Sequence, residues 1–454
     1  MRVAVIGGGI TGLSAAFYLR NSGLDVTLIE KALSPGGLLE TSRREGCVLE
    51  HGPDSFLASK PWARELVNAL GLESELIASK DASRRTYVVR NGNLVQLPEG
   101  LMMMIPTRVG SLLASPLLSW SAKLRMGLEF LRQARPVGGR DRSVEEFLLD
   151  HYGRETLEYL AEPLLAGVYG GDPAQLSAAS VLPRFVEFEH QFGSVTRGAL
   201  AARREAAPGP LFLTLRNGLG TLVAALEKSL RPAVNFLRGT VESVARTADG
   251  FQVRVSGELM LFDRLILACP APPAARMLQA AHREISEVLA AIPYNPAMTL
   301  ALGYRRSECA VSGFGFLVPR RERQALLACT FVHNKFEHRA PEDTAVLRCF
   351  LAGDSLSLSD DEAIAAARGD LARILNLHAV PRFTNIARYP ESMPQYTVGH
   401  ADRVRRIEAL RAGIPGLHLA GNAYRGIGIP DCIRSAKEAA GQVTSGHIPE
   451  APPA

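Results

Sequence analysis

The stretch VAVIGGGITGLSAAFYLRNSGLDVTLIEK, Val3 to Lys31, restricts the fold of this chain more than any other. An apolar strand runs into Gly7, Gly8, Gly9, Ile10, Thr11 and Gly12, where G-x-G-x-x-G falls on Gly7, Gly9 and Gly12, and a helix-periodic run follows at once. Each glycine has a mechanical reason: Gly7 permits the tight turn, Gly9 keeps side-chain atoms away from a pyrophosphate, and Gly12 lets the helix approach the strand. Negative charge is then favoured at the helix N-terminus, by free N–H groups and by the dipole. The helix is expected to end near Asn21-Ser22-Gly23, and DVTLIE to form a second buried strand stopping at Glu30, about 20 residues beyond the glycines. A carboxylate there suits both hydroxyls of an adenosine ribose and repels a 2′-phosphate. Strand, helix, strand and acid in register make the first ligand a dinucleotide, NAD or FAD.

At 454 residues, with 47% apolar side chains, the chain is too long for one ordinary core, and two or more lobes are expected. The formal charge of +5, from 51 basic and 46 acidic residues, is too small an excess to imply nucleic acid and fits a small acidic ligand better. Cys47, Cys269, Cys309, Cys329, Cys349 and Cys432 lie far apart with no C-x-x-C, and no His pair has metal-ligand spacing, so neither a disulfide framework nor a zinc site is supported. Reduced thiols, and an apolar run after Arg2 that lasts only from Val3 to Ile6, predict a cytoplasmic chain without a secretory leader. The stretch from Gly100 to Ala134 is rich in Leu and Met but interrupted by Pro106, Arg108, Pro116, Lys123 and Arg125. It therefore lacks the uninterrupted run of about 20 apolar residues that crosses a bilayer. It reads as core helices of a lobe, or as a surface that rests on the inner face of a membrane or covers a greasy ligand.

Two further glycine clusters narrow the ligand. LSPGGLLETSRREGCVLEHGPDSF puts Gly36 and Gly37 just past the second strand, and Gly52, Pro53, Asp54 and Ser55 after a short strand. A second glycine pair lets the chain pass close beside a bound FAD, and nicotinamide domains seldom need one. The doublet following the acid is similar to that of the large flavoprotein class that includes amine oxidases and carotenoid desaturases. Members of that class usually carry Arg next, whereas Leu38 stands there and leaves no cation for the pyrophosphate. Near the far end, GLHLAGNAYRGIGIPDCIRSAKEAAGQV repeats the grammar: a strand, a glycine-rich connection and a helix from about Pro430 through Val443, with Pro as the first-turn start signal. Such a helix aims N–H groups around Gly428 to Asp431 at whatever lies in front. At the pyrimidine edge of a flavin, its positive end stabilises the negative charge gained on reduction. VNFLRGTVESVAR and DRLILACPAP are expected to be two more strands.

With these residues in place, the sequence resembles the oxygen-dependent protoporphyrinogen oxidase and coproporphyrinogen III oxidase family of the flavin amine oxidase superfamily. GGGITGL, GPDSFL, EPLLAGVYGGDPAQLS, GFGFLVP, SMPQYTVGH and GNAYRGIGIPDCI occur in the family's order nearly from end to end. The glycine motifs fit any flavin amine oxidase relative; the middle blocks and GIPDC are far more particular. By matching position, the resemblance implies FAD contacts from Gly7, Gly8, Gly9, Ile10, Thr11, Gly12, Glu30, Lys31, Gly36, Gly37, Gly52, Pro53, Asp54, Ser55, Val241, Gly421, Asn422, Gly428, Ile429 and Pro430. The fold it implies is α/β: a Rossmann-like, glutathione-reductase-like FAD-binding domain (1–80, 208–275 and 416–454), a mixed-sheet substrate domain (81–98 and 276–415) and a helical insert (99–207). The residues agree. TYVVRNGNLVQLP reads as a hairpin turning at Asn91-Gly92. Gly100 to Gln191 is mostly helix-periodic, and AMTLALGY, GFGFLVP, QALLACTFV and AVLRCFLA read as strands. Pro208-Gly209-Pro210 marks the return to the FAD domain.

The activity so implied is conversion of coproporphyrinogen III or protoporphyrinogen IX to the porphyrin in haem biosynthesis, by three rounds of hydride transfer to flavin N5 with O2 reduced to H2O2. Hydride loss from a meso CH2 flanked by pyrroles leaves a delocalised cation, so the flavin carries the chemistry and no catalytic acid or base side chain is expected. The substrate's propionates need cations, and Lys60, Arg84, Arg85 and Arg184 are the candidates. Tyr169, Met393, Gln395 and Tyr396 are candidates for the pocket lining. Coproporphyrinogen asks for more cations and protoporphyrinogen for more grease; Lys60 and the lack of a span lean to the first, the Met- and Leu-rich insert to the second. Besides porphyrinogen and O2, the partners in view are a membrane surface and a haem-pathway neighbour that takes the product, with no nucleic acid. The competing readings are another amine oxidase or polyene desaturase on the same fold, and a tetrapyrrole carrier without turnover.

Overall fold

In the opening strand, Arg2–Ile6, side chains alternate between two cores, Val3 and Val5 facing one, Ala4 and Ile6 the other. A strand apolar on both faces belongs inside a parallel sheet. The computed structural model, which describes residues 1–102, 104–133, 140–205 and 209–445, puts it there. It is the third of five parallel strands in the order Val234–Arg238, Asp25–Glu30, Arg2–Ile6, Arg264–Leu267, Leu417–Leu419. On one face, the helix Ile10–Leu19 and the closing helix Ile429–Ser445 share a core that includes Leu13, Phe17, Ile433 and Ala436. The other face is covered by the antiparallel meander Val241–Arg246, Phe251–Val255, Glu258–Phe262 and by the helices Ala271–Leu278 and Arg283–Ala290.

VNFLRGTVESVAR is not one strand but two, in two sheets. Val234–Arg238 joins the parallel sheet and Val241–Arg246 the meander. The break falls at Gly239, whose N–H donates to Glu30 O at 2.9 Å and where an added Cβ would stand 2.5 Å from Val255 Cγ1. Pro208, expected to mark the return to the first sheet, lies outside the described residues.

A second, mixed sheet has seven strands in the order Phe383–Pro394, Tyr294–Arg305, Thr344–Leu351, Leu326–Phe331, Gly315–Leu317, Thr86–Arg90, Asn93–Gln96. Four of them fall on the four strands read from the sequence. The hairpin turns through Asn91 (φ 51°) and Gly92 (φ 74°), the pair of left-handed residues that a type I′ turn requires. It is tied to the rest of the sheet by the parallel pairing of Thr86–Val88 with Gly315–Leu317.

Between the hairpin and Phe212 the described residues are mainly helical, and among them is one short ribbon, Leu101–Met102 against Ile105–Pro106, that the helical periodicity concealed. Tyr396, from beyond the mixed sheet, is buried in the insert's core beside Phe147, Leu160, Leu165 and Leu176. One helix of the insert, Trp120–Glu129, is inverted: Lys123 and Glu129 are buried, while Trp120, Leu124 and Leu128 are 71%, 65% and 56% exposed. Its buried charges are satisfied. Lys123 Nζ donates to Leu113 O (2.8 Å), and Glu129 accepts from Val195 N (2.7 Å), Thr196 N (3.1 Å) and Ser194 Oγ (2.9 Å). Among the described residues, no helix is long and apolar enough to cross a membrane.

Candidate functional site

The glycine turn sits at the C-terminal edge of the parallel sheet, held by Gly7 N–H donating to Ile29 O at 2.8 Å. Its glycines are packed unequally. An added Cβ on Gly12 would overlap the Gly7 carbonyl oxygen, one on Gly7 would stand 2.9 Å from Ala268 O, and one on Gly8 would press on Glu30. On Gly9 it would meet nothing within 4 Å. The first helical bond is Leu13 N–H to Gly9 O (3.0 Å), so the amides of Ile10, Thr11 and Gly12 have no helical acceptor. Neither a side-chain cap nor a first-turn acid competes for them. Bare backbone at Gly9 in front of free amides fits a pyrophosphate.

Glu30, at the end of the second strand, accepts from Gly8 N at 2.5 Å and from Ala32 N at 2.8 Å, which fixes its carboxylate beside the turn. Lys31 is exposed next to it. Val241 is buried in the meander core just past the level of Glu30, where Arg238 pairs with Glu30 across the strands. The second glycine doublet packs on the first. Gly36 N–H donates to Gly8 O (2.8 Å), Gly9 and Gly36 form a parallel bridge, and a Cβ on Gly37 would stand 3.2 Å from Gly9 Cα. A Cβ on Gly52 would overlap Leu38 O, so that glycine allows the next segment to cross close by.

Beyond Gly52 and Pro53, Asp54 binds Lys335 Nζ through both oxygens at 2.9 Å, and Ser55 Oγ donates to it at 2.6 Å. Burial would raise this carboxyl, but Lys335 and Arg348 outweigh it and hold it well below the usual carboxylate range. Arg348 also donates to His51 O (3.3 Å) and to Gly52 O. The segment Gly52 to Ser55 is thereby tied to Arg348 of the mixed sheet and to Lys335 in the short helix Val332–Lys335. Sequence reasoning named Asp54 and Ser55 without this clamp, because Lys335 lies 281 residues away.

The closing loop meets the glycine turn from the other end of the chain. Gly421 N–H donates to Ser435 Oγ at 3.0 Å, and a Cβ on Gly421 would stand 3.9 Å from Thr11 Oγ1. Ile10, Ile429 and Cys432, from the first turns of the two helices, lie in one core. Burial pushes the Cys432 thiol up to about 11, so it is protonated at neutral pH. The closing helix starts at Ile429, one residue earlier than read from the sequence, and its first helical bond is Cys432 N–H to Gly428 O at 3.0 Å. Pro430 has no N–H, leaving the amides of Ile429 and Asp431 free of helical acceptors.

Tyr396 fixes this loop. Its hydroxyl donates to Asn422 O (2.6 Å) and accepts from Gly426 N (2.9 Å), and its ring stacks on His400 at 3.9 Å. Gln395, also buried, donates to Tyr169 O (2.7 Å) and Met393 O (2.9 Å). Met393 touches the C-terminal end of the insert helix Glu162–Tyr169, where a Cβ on Gly170 would stand 2.9 Å from Met393 Sδ. Tyr169 is half-buried, and burial followed by the Asp431 charge pushes its phenol up to about 12. These four residues come together at one junction, with the polar groups of Gln395 and Tyr396 committed to backbone.

The four candidate cations do not come together. Lys60 Nζ binds Asp431 Oδ2 at 2.6 Å, in the first turn of the closing helix. Arg84 and Arg85 are exposed at the start of the hairpin, and Arg184 is exposed on the insert helix Pro183–Phe192 with its guanidinium over Phe188. Among the described residues, none of these three arginines makes an ion pair. Asp431 is the charged group that the sequence reading passed over.

Residues 10–444 match the family described as flavin-containing amine oxidoreductases. The chain is 35% identical to the coproporphyrinogen III oxidase of Bacillus subtilis (strain 168), covering 96% of each protein. It is 29% identical to the coproporphyrinogen III oxidase of Staphylococcus aureus (strain NCTC 8325 / PS 47), over 97% of this chain and 98% of that one. A crystal structure from Exiguobacterium sp. 255-15, provisionally assigned as a protoporphyrinogen oxidase, superposes with a TM-score of 0.88 at 31% identity, over 98% of this chain and 99% of that one.

Proposed function

The chain belongs to the flavin-containing amine oxidoreductases, and on that footing we propose that it is an FAD-dependent oxidase converting a porphyrinogen, coproporphyrinogen III before protoporphyrinogen IX, to the porphyrin of haem biosynthesis. The observation that carries the reading is the meeting of two helix N-termini, with Ile10 and Cys432 in one core and Gly421 against Thr11, beside a glycine that presents bare backbone. FAD, when bound, supplies the two-electron acceptor, which O2 restores with release of H2O2; three rounds remove six hydrogens from the macrocycle.

The residues do the holding. Amides of Ile10, Thr11 and Gly12 would receive the pyrophosphate, and Glu30 the ribose hydroxyls. The amides of Ile429 and Asp431 would hold the flavin's pyrimidine edge, where a positive helix end would stabilise added negative charge. Tyr396 keeps that helix start in place through Asn422 and Gly426. His400, whose Nε2 faces Tyr424 O in the closing loop, is pushed down to about 4 by burial and is a weak base. Arg84, Arg85 and Arg184 remain the candidates for propionates, and Tyr169 and Met393 for the pocket wall. Peripheral contact with a membrane rests on the apolar outer face of Trp120, Leu124 and Leu128.

The test is anaerobic mixing of the purified protein with each porphyrinogen in turn. Bleaching of the flavin band with appearance of porphyrin fluorescence, faster for coproporphyrinogen III, is the expected result. Spectral shift without reduction would replace the oxidase by a carrier.

A further inference from the structure

Resting on the flavin reading above, we propose that Lys60 acts on the cofactor through Asp431: by neutralising the only carboxylate in the first turn of the closing helix, it keeps that helix end positive and raises the flavin's reduction potential. Lys60 is thus a positioning residue of the flavin site as well as a surface cation.

Pro61 opens the helix Pro61–Ala69 and forces the preceding Lys60 into extended backbone, observed at φ −101° and ψ 115°. That helix shares the core of the closing helix through Ala63, Leu66 and Val67, so the Lys60 side chain is carried to the first turn of Ile429–Ser445. There Nζ binds Asp431 Oδ2 at 2.6 Å; the Lys60 side chain is 37% exposed and that of Asp431 only 9%. The carboxylate is turned back toward the loop: a Cβ on Gly428 would stand 3.2 Å from Oδ2, and one on Gly426 would overlap the carboxyl group.

Other charges near this helix start are already matched. Arg425 pairs with Glu408 at 2.7 Å, and Arg434 with Glu438 at 3.0 Å. Among the described residues, the balance at the first turn is therefore set by Asp431, Lys60 and the helix itself. A helix N-terminus carries about +0.5 of an elementary charge. With Asp431 alone the sum becomes about −0.5, which opposes reduction of a flavin facing it; Lys60 restores it to about +0.5. One ion pair thus decides the sign of the field.

The experiment compares midpoint potentials of the flavin-loaded parent, Lys60→Met, Asp431→Asn and the double variant, by dye equilibration followed in the flavin band. Lys60→Met is expected to shift the oxidised-to-reduced ratio at fixed potential about tenfold toward oxidised, which for a two-electron couple is ~30 mV. Asp431→Asn is expected to shift it by a similar factor toward reduced, and the double variant to return within about threefold of the parent. If Lys60→Met loads no flavin, the step from Asp431→Asn to the double variant reads the same Lys60 term. An unchanged potential with a raised KM for porphyrinogen would overturn the proposal and make Lys60 a direct propionate cation. So would shifts of the same sign in both single variants. A parent protein that binds no flavin would instead sink the flavin reading, before any variant is made.

Discussion

Replacing the motif glycines by alanine one at a time separates cofactor binding from folding, because the structure assigns Gly9 and Gly12 opposite burdens. Gly9 has φ −70° and ψ −178°, extended backbone that alanine adopts freely, and its added methyl meets no protein atom within 4 Å. Gly9→Ala is therefore expected to fold, and to stabilise the flavin-free protein by about 0.4–1 kcal/mol through the unfolded chain. The same methyl stands where phosphate oxygens must approach the free amides. Losing two charge-assisted hydrogen bonds at about 1.5–3 kcal/mol each gives ~3–6 kcal/mol, a weakening of roughly 10²- to 10⁴-fold. Gly12→Ala is different. Its methyl overlaps the Gly7 carbonyl, so the helix must move off the strand, at a cost of about 3 kcal/mol or more. The assay is the flavin-to-protein absorbance ratio after purification, paired with thermal unfolding of flavin-stripped protein. Gly9→Ala should be colourless with an unchanged or raised Tm, Gly12→Ala colourless with a lowered one. A fully yellow Gly9→Ala protein, or a stripped one melting as low as Gly12→Ala, would refute the assignment of bare backbone to the pyrophosphate.

Three further outcomes are expected. His151 is bracketed by Glu129 Oε1 (2.9 Å) and Glu189 Oε1 (3.0 Å); burial would lower its pKa, but the two carboxylates outweigh it and raise it, holding the doubly protonated ring to higher pH. That stabilisation is fully present below about pH 6.5 and lost as pH rises through the raised value, so His151→Gln should cost ~3 kcal/mol near pH 6 and less at pH 9 in unfolding experiments. Asp54→Asn removes a depressed carboxylate whose contribution is present above about pH 4 and lost below; it should lower stability by ~3 kcal/mol at pH 7, with the difference vanishing in acid. Trp120→Ser with Leu124→Ser, on the exposed face of Trp120–Glu129, should abolish flotation with anionic vesicles while leaving Tm within about a degree, since surface changes cost within ±0.5 kcal/mol.

The half of the candidate site made of backbone was legible in the sequence, and the half made of charge was not, for one physical reason. A turn that needs glycine needs it locally, so Gly7, Gly9, Gly12, Gly36 and Gly37 announce themselves within one supersecondary unit, and Pro430 marks a helix start by its missing donor. Ion pairs have no such local grammar. Lys60 finds Asp431 across 371 residues and Lys335 finds Asp54 across 281, and nothing near either partner encodes the other. Periodicity fails in a subtler way. Trp120, Leu124 and Leu128 recur every four residues, a stripe that would face inward in a core helix, yet the inner face is Ala122, Met126 and Glu129. Spacing gives the width of an apolar face but not its direction; that is decided by whether the opposite face has partners for its polar groups. Here Lys123 and Glu129 have them, in Leu113 O and in the amides that open the helix Val195–Glu205, so the charged face can go in and the greasy one is left outside. The core-helix reading is therefore met by one face of Trp120–Glu129, through Ala122 and Met126, while its greasier face stays exposed.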